Sequence, residues 1–218
     1  TEEVETDILE NVMLPFANLS NTSEVRVYYE TYLTVDQNGE QVEMRRVKSV
    51  GSGEYIYRVD RFGRETNDLE YIKLADGKRI LHEDFTRTDG TVAQRPSVVV
   101  NEDGSIYMRY IYQSDRTDLL QYAEITSEGD QFDGVRIVYK ARQNVGMYYD
   151  QQTVNIVDYV EFPDQVRIYY TLTGTIDYYL LPDGTKMFSE TYSGKKQRIQ
   201  AILTKEEGLI NFDYKVKE

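Results

Sequence analysis

The chain contains 218 residues, of which 25 are Lys or Arg and 38 are Asp or Glu, so its formal net charge is −13. It contains no Cys, which excludes disulfide bonds, thiolate nucleophiles and cysteine-ligated metal centres. The acidic balance argues against nucleic acid as a partner, because proteins that bind nucleic acids present basic surfaces. No apolar run approaches the ~18 residues of a membrane span, so we expect no transmembrane segment.

The first 19 residues have a pattern that differs from the rest of the chain. Val4, Ile8 and Val12 recur at helical spacing, and Pro15 disfavours continuation of a helix through the residue before it. The segment 1–19 is therefore predicted to contain one short amphipathic helix that ends near Met13 or Leu14. Because the face opposite the apolar stripe is acidic, we expect this helix to pack on the body of the protein rather than on a membrane.

From residue 24 onward the hydrophobic period changes to two, which is typical of β-strands. Apolar residues alternate with polar or Tyr residues in the run Val25–Val35, and the run Val166–Tyr178 is predicted to be a second long strand. The pattern of Ser114–Ile125 is compatible with a short helix or with a strand, and we favour the strand. Shorter strands are predicted at Tyr55–Val59, Ile106–Tyr112, Val135–Ala141, Val154–Phe162, Ile199–Leu203 and Ile210–Val216.

Dipeptides of Asn or Asp followed by Gly separate these runs. They are Asn38-Gly39, Asp76-Gly77, Asp89-Gly90, Asp103-Gly104, Asp133-Gly134 and Asp183-Gly184. Such dipeptides favour tight primed turns between antiparallel neighbours, because Gly readily adopts a positive φ. We therefore predict a mainly β fold, an antiparallel meander of about ten or more strands that closes as a barrel, half-barrel or sandwich. Residues 24–218 would form the β body, and 1–218 a single domain.

The sequence offers few groups for catalysis. His82 is the one His in the chain, and Glu83 and Asp84 follow it. On a strand, Glu83 would lie on the opposite face and only Asp84 on the same face as His82. We predict a structural role for His82, no catalytic residue, no metal site and no cofactor. Asp36–Gly39 and Asn101–Gly104 resemble acidic loops, but they lack the spacing of an EF-hand and are interpreted as turns.

Tyr is unusually frequent, with 20 Tyr against 7 Phe and no Trp. Several Tyr residues occur as doublets, and consecutive strand residues face opposite sides of a sheet, so each doublet places one ring on the outer face. We predict that Tyr28, Tyr32, Tyr169 and Tyr179 line a ligand groove or a partner surface. The alternative is a purely structural role, because Tyr is a good strand former.

These patterns favour a non-enzymatic binding protein that holds an apolar small molecule or docks a protein partner on a Tyr-rich sheet face. A carboxylate-dependent glycan hydrolase and a structural surface or assembly protein are the alternatives. Because the numbered sequence begins with Thr1 rather than Met, we expect an extracytoplasmic, secreted, cell-surface or lipoprotein form. A curved sheet plugged by the N-terminal helix would resemble, in architecture alone, the carriers that hold lipids or lipoproteins outside the cytoplasm.

Overall fold

The structure is a computed structural model that describes residues 27–50, 52–145, 151–171, 176–193 and 196–212. These residues form fifteen β-strands and no helix. The helix predicted for 1–19 lies outside them. Contacts divide the chain into two compact units, Thr1–Leu119 and Leu120–Glu218. The single-domain interpretation stays a prediction.

The first unit contains the strands β1 to β7. They are β1 (Val27–Val35), β2 (Gln41–Val50), β3 (Gly53–Val59), β4 (Glu65–Lys73), β5 (Arg79–Thr86), β6 (Val92–Val100) and β7 (Ile106–Tyr112). Each strand pairs antiparallel with the next one along the chain, as hairpin-connected strands do. The predicted meander is confirmed for this unit.

The second unit continues with β8 to β15 and has the same topology. They are β8 (Leu120–Ile125), β9 (Arg136–Val145), β10 (Gln151–Glu161), β11 (Arg167–Tyr170), β12 (Ile176–Leu180), β13 (Lys186–Ser193), β14 (Lys196–Thr204) and β15 (Gly208–Asn211). Every pairing between consecutive strands is antiparallel. The strand favoured within Ser114–Ile125 is confirmed for its second half, which is β8.

The prediction of one long strand over Val166–Tyr178 is wrong. Strands β11 and β12 both fall in this run and pair antiparallel, with Tyr169 opposite Tyr178 and Tyr170 opposite Ile176. The chain therefore reverses direction within the run. Alternation of apolar and polar residues does not distinguish one long strand from two short arms, because each arm shows the same period of two.

The turns differ from the predicted primed type. At the β4–β5 turn, the Leu74 N–H donates to the Lys78 carbonyl at 2.8 Å, and the Gly77 N–H donates to the Leu74 carbonyl at 3.1 Å. This is a three-residue loop that ends in a residue of positive φ, here 87° at Gly77. The Asp76 carboxylate supports it by accepting the Lys78 N–H at 3.0 Å. The same pair of backbone hydrogen bonds occurs in the turns that end at Gly39, Gly63, Gly90, Gly104, Gln165 and Gly184.

The core of the first unit is a row of directly paired side chains on one face of the sheet. Ile72 faces Ile80, Ile80 faces Val99, and Val99 faces Met108, so the row crosses β4 to β7. These four side chains are at most 2% exposed. Burial of paired aliphatic side chains across neighbouring strands is the main stabilising contribution in such a sheet.

A corresponding row crosses the second unit. Ala123, Ile137, Val160 and Ile168 are paired in turn from β8 to β11 and are all buried. The row continues through Tyr179, Met187, Ile202 and Ile210. Burial decreases along it, and Ile210 on β15 is 38% exposed.

Candidate functional site

Four aromatic side chains line up across β10 to β13 on the face of the second unit opposite its buried row. Tyr159 faces Tyr169, Tyr169 faces Tyr178, and Tyr178 faces Phe188 in the strand registers. Because directly opposed strand residues share a face, all four rings lie on the same side. We call these four residues the aromatic strip. Each of them is half-buried, so the strip is in part accessible to solvent.

The rings of the strip contact one another continuously. The centroids of Tyr159 and Tyr169 are 5.1 Å apart, and those of Tyr178 and Phe188 are 5.8 Å apart. Between them, Tyr169 and Tyr178 stack at 4.6 Å with an interplanar angle of 15°. Distances of this size are those of favourable aromatic pairs, each of which contributes about 0.5–1.5 kcal/mol beyond area burial. The strip is therefore a stiff surface rather than four independent rings.

A row of charged side chains runs beside the strip on the same face. Glu124 faces Arg136, Arg136 faces Glu161, and Glu161 faces Arg167 in the registers. Arg136 lies 3.4 Å from Glu124, and Arg167 lies 2.6 Å from Glu161. Beyond Arg167 the register continues through Leu180 to Lys186, which has no ion pair with another described residue. The acidic and basic groups of this row balance except at Lys186.

Cations of this row also lie over the rings. The Arg167 guanidinium is 4.8 Å from the Tyr159 centroid, and the Lys186 ammonium is 4.8 Å from the Tyr178 centroid. These cation–π contacts hold positive charge at the edge of the aromatic strip. Burial raises the pKa values of Tyr159 and Tyr178 above the ordinary value of 10.0. Their hydroxyls are therefore neutral near pH 7 and can donate hydrogen bonds.

Three β-bulges surround the strip. The registers shift between Val157 and Tyr159, between Tyr169 and Tyr170, and between Phe188 and Ser189. A bulge increases the local twist and redirects the side chains next to it. The extra residues are Asp158 on β10, Asp177 on β12 and Gln200 on β14, so two of the bulges lie directly beside Tyr159 and Tyr178 on their own strands.

The structure distributes the four predicted ligand-binding Tyr residues over different surroundings. Tyr28 is 53% exposed on β1, whereas Tyr32 on the same strand is 7% exposed and lies under the Arg46 guanidinium. Tyr169 is part of the aromatic strip. Tyr179 faces Ile168 and therefore lies on the opposite side of the sheet from Tyr169. The ligand-binding role of these residues stays a prediction, and the strip brings together only Tyr169 from this set.

Sequence reasoning did not single out Tyr159, Tyr178 and Phe188 as site residues. Their proximity depends on the register of three hairpins. The alternation over Val166–Tyr178 predicts one strand, and a single strand would not bring Tyr169 opposite Tyr178. A signal was nevertheless present, because Tyr159 and Tyr169 lie on either side of the turn that ends at Gln165. Tyr178 and Phe188 lie on either side of the turn that ends at Gly184. Centring each hairpin on its turn would have paired these rings.

His82 lies on β5 in the first unit, whereas the aromatic strip belongs to the second unit. Its Nδ1 atom is buried without a hydrogen-bond partner among the described residues. Burial is the main reason why the pKa of His82 is lowered from 6.5 to about 4; a hydrogen bond that the ring donates to the Ile80 backbone opposes the shift, and Arg58 adds to it. Asp84, predicted to share a face with His82, lies 3.6 Å from the Arg58 guanidinium.

We expect His82 to make the protein less stable as the pH falls through the range below 6.5. The unfolded chain binds a proton at His82 below its ordinary pKa of 6.5, whereas the folded protein does so only near pH 4. The free energy of unfolding should therefore fall by about 2 kcal/mol between about pH 7.5 and about pH 5 through this group. Urea unfolding of the wild type and of His82→Gln at both pH values measures this change in the free energy of unfolding.

The Gln variant should lose this part of the pH dependence, because the chain then contains no side chain whose ordinary pKa lies between about pH 5 and about pH 7.5. If both proteins lose the same stability between the two pH values, His82 does not titrate as its burial indicates.

The described residues contain no group of three or more His, Asp or Glu side chains that could hold a metal ion. In the same part of the chain, no helix is long and apolar enough to cross a membrane. No protein-family model and no curated protein sequence matches the chain.

Proposed function

We propose that the protein is a non-enzymatic binding protein that docks a protein partner on the aromatic strip. The observation that carries the proposal is the unbroken contact of four half-exposed rings across four neighbouring strands. Large, rigid aromatic side chains lose little conformational entropy when they bind, and for this reason they dominate protein recognition surfaces. A row of such rings held in register is a prepared contact surface.

The shape of the strip favours a protein segment over an enclosed apolar molecule. Its rings stack on one another across three strand spacings, which gives a length of about 14 Å. A stack of rings whose faces are already in contact leaves mainly ring edges and hydroxyls accessible, as between Tyr169 and Tyr178. Such edges suit an elongated partner that lies across the strands and offers both apolar groups and hydrogen-bond acceptors.

The charges beside the strip indicate the chemistry of the partner. Lys186 has no acidic partner among the described residues, although the whole chain carries a net charge of −13. A carboxylate of the partner could therefore pair with Lys186 while its apolar side chains contact the rings. We propose a partner segment that combines aromatic or aliphatic residues with at least one Asp or Glu.

Peptide display provides a direct test of this proposal. Random peptides displayed on phage are selected on the immobilised wild-type protein, and the Kd values of the enriched peptides are then measured for variants. Tyr169→Ser removes the central ring, and we expect it to weaken binding at least about tenfold, as for other aromatic hot spots. Lys186→Glu should weaken the binding of acidic peptides by a similar factor, although it removes no ring.

The matched control is Tyr28→Ser, which removes an exposed Tyr of the first unit. It should leave the Kd values unchanged, and a loss of binding in this variant alone would place the contact surface elsewhere. Enriched peptides that bind Tyr169→Ser and Lys186→Glu as tightly as the wild type would contradict the proposal. Thermal unfolding of each variant shows that the fold is retained. An extracytoplasmic location of the protein stays a prediction.

A further inference from the structure

A cleft of about 360 Å³ opens between β1, β2, β3 and β4 of the first unit. Its volume lies at the lower end of the range of small-molecule sites. The cleft shares no residue with the aromatic strip and is independent of the proposed docking surface. The side chains that matter for its chemistry are Tyr29, Arg45, Arg46, Tyr55, Tyr57 and Asn67.

Arg46 is part of the wall of the cleft and has its hydrogen-bonding groups occupied. Its Nε donates to the Glu30 carboxylate at 2.8 Å, and its Nη1 donates to the Thr66 carbonyl at 2.7 Å. The guanidinium also lies between two rings, 4.5 Å from the Tyr32 centroid and 4.3 Å from the Tyr57 centroid. A buried and neutralised cation of this kind supports the fold and is not available to a ligand.

Arg45, unlike Arg46, is neither buried nor neutralised by a described partner. It is exposed, and it makes no ion pair or hydrogen bond with another described residue. Its guanidinium carbon lies over the Tyr29 ring, 4.1 Å from the centroid, and this cation–π contact holds the group at the ring. A guanidinium held over a ring keeps its in-plane N–H groups free, and these form the fork that binds a carboxylate in a bidentate manner.

The remaining lining suits a small ring. Tyr55 and Tyr57 project from the same face of β3, with ring centroids 6.5 Å apart. Burial raises the pKa of Tyr55 to about 12, so its hydroxyl carries no charge that would repel an anion. The exposed Asn67 adds an amide that can donate and accept hydrogen bonds.

We propose that this cleft binds a small ring compound that carries one carboxylate. The carboxylate pairs with the Arg45 guanidinium, and the ring lies against Tyr55 between the walls formed by Val47 and Leu69. Two classes of compound share this chemistry, namely uronic acid sugars and aromatic carboxylates. The aromatic acids offer a flat face and the sugars a face of C–H groups to a Tyr ring, and both carry the carboxylate at the edge of the ring.

Ligand-observed NMR titrations with purified full chain distinguish these classes. The probes are glucuronate and benzoate, and the matched neutral compounds are glucose and benzamide. At least one acid should show saturable binding with a Kd of about 1 mM or below. Its neutral counterpart should bind at least about tenfold more weakly, because a charged hydrogen-bonded pair is lost. Binding of glucuronate alone identifies a sugar site, and binding of benzoate alone identifies a site for aromatic acids.

Arg45→Gln tests the assigned residue. It keeps a polar side chain but removes the charge, and it should weaken binding of the acid about ten- to a hundredfold. Arg109→Gln is the matched control, because Arg109 is an exposed Arg of the same unit without an ion pair among the described residues. The proposal is overturned if neither acid binds, or if Arg45→Gln binds the acid as tightly as the control.

Discussion

Replacement of Arg95 by Met is expected to lower the free energy of unfolding by about 3 kcal/mol. Arg95 lies on β6 with 10% of its side chain exposed, and its Nε donates to the Glu83 carboxylate at 2.8 Å. Its Nη1 donates to the carbonyls of Ser114 and Thr117, which follow β7. Loss of the guanidinium would remove this donor from both carbonyl groups, although the Ser114 carbonyl would still accept the Thr117 N–H at 3.4 Å.

The rings around Arg95 add to the expected loss. The guanidinium lies 4.7 Å from the Phe85 centroid and 4.0 Å from the Tyr112 centroid, so it fills the space between two strands. The lost ion pair with Glu83 contributes less to the loss of stability, because the Glu83 side chain is 44% exposed and water can replace its partner. We therefore assign most of the effect to the loss of the two hydrogen bonds to the carbonyl groups and to the lost packing.

Urea unfolding followed by circular dichroism measures this effect. Arg95→Lys keeps the charge but not the planar fork, so about half of the loss should remain. Arg109→Met changes an exposed Arg of the neighbouring strand and should alter stability by no more than about 0.5 kcal/mol. Equal stability of Arg95→Met and Arg109→Met would mean that the buried contacts of Arg95 do not stabilise the fold.

Replacement of Ile80 by Ala is expected to lower the free energy of unfolding by about 3–4 kcal/mol. Ile80 has no exposed surface and stands in the middle of the buried row, between Ile72 on β4 and Val99 on β6. Truncation removes apolar contact on both sides and leaves a cavity that rigid neighbouring strands cannot close. The same urea titration measures the loss.

Val92→Ala is the matched control for this prediction. Val92 belongs to the same hairpin as Ile80 but is 69% exposed, so its truncation should change stability by no more than about 0.5 kcal/mol. If both variants lose a similar amount of stability, the paired aliphatic row is not the main core of the first unit. If Ile80→Ala prevents folding, Ile80→Val should still fold with a loss of about 1 kcal/mol.

Strand content and antiparallel pairing could be predicted from the sequence, because both follow from local patterns. Ile106–Tyr112 was placed with the bounds of β7, since its alternation is regular. The alternation of apolar and polar residues does not predict β2, β4, β5, β6 or β13. Strands β2, β4 and β5 contain charged residues on both faces, and β6 contains Pro96, which weakens a strand signal. Each of these strands nevertheless adjoins at least one turn with the Asn-Gly or Asp-Gly signal that locates a hairpin.

The turn type could not be predicted from the dipeptides alone. An Asp-Gly pair fits a two-residue primed turn and also the last two residues of a three-residue loop. The hydrogen bonds of the residue before the loop decide between them, as at Leu74. Gln165 occupies the corresponding position of positive φ without being Gly, with φ of 68°, and therefore gave no sequence signal.

A structural repeat in the first unit was also hidden from the sequence. Arg46 and Arg95 each pair with a Glu on the preceding strand, Glu30 and Glu83 respectively. The Glu–Arg separation is 16 residues in one case and 12 in the other, so a search for a fixed period does not detect the repeat. In both cases the Tyr of the following strand donates its hydroxyl to the carbonyl of the residue after the Arg, as Tyr57 does to Val47 and Tyr112 does to Pro96.

Pairing of each strand with its immediate neighbours has a consequence for how the chain folds. Almost every backbone ladder within a unit closes a loop of only a few residues, so the entropy lost on closure is small at each step. Proteins with such low contact order fold rapidly for their size. A hairpin formed early provides the edge on which the next strand aligns, and each unit can therefore grow outward from a local nucleus in either direction.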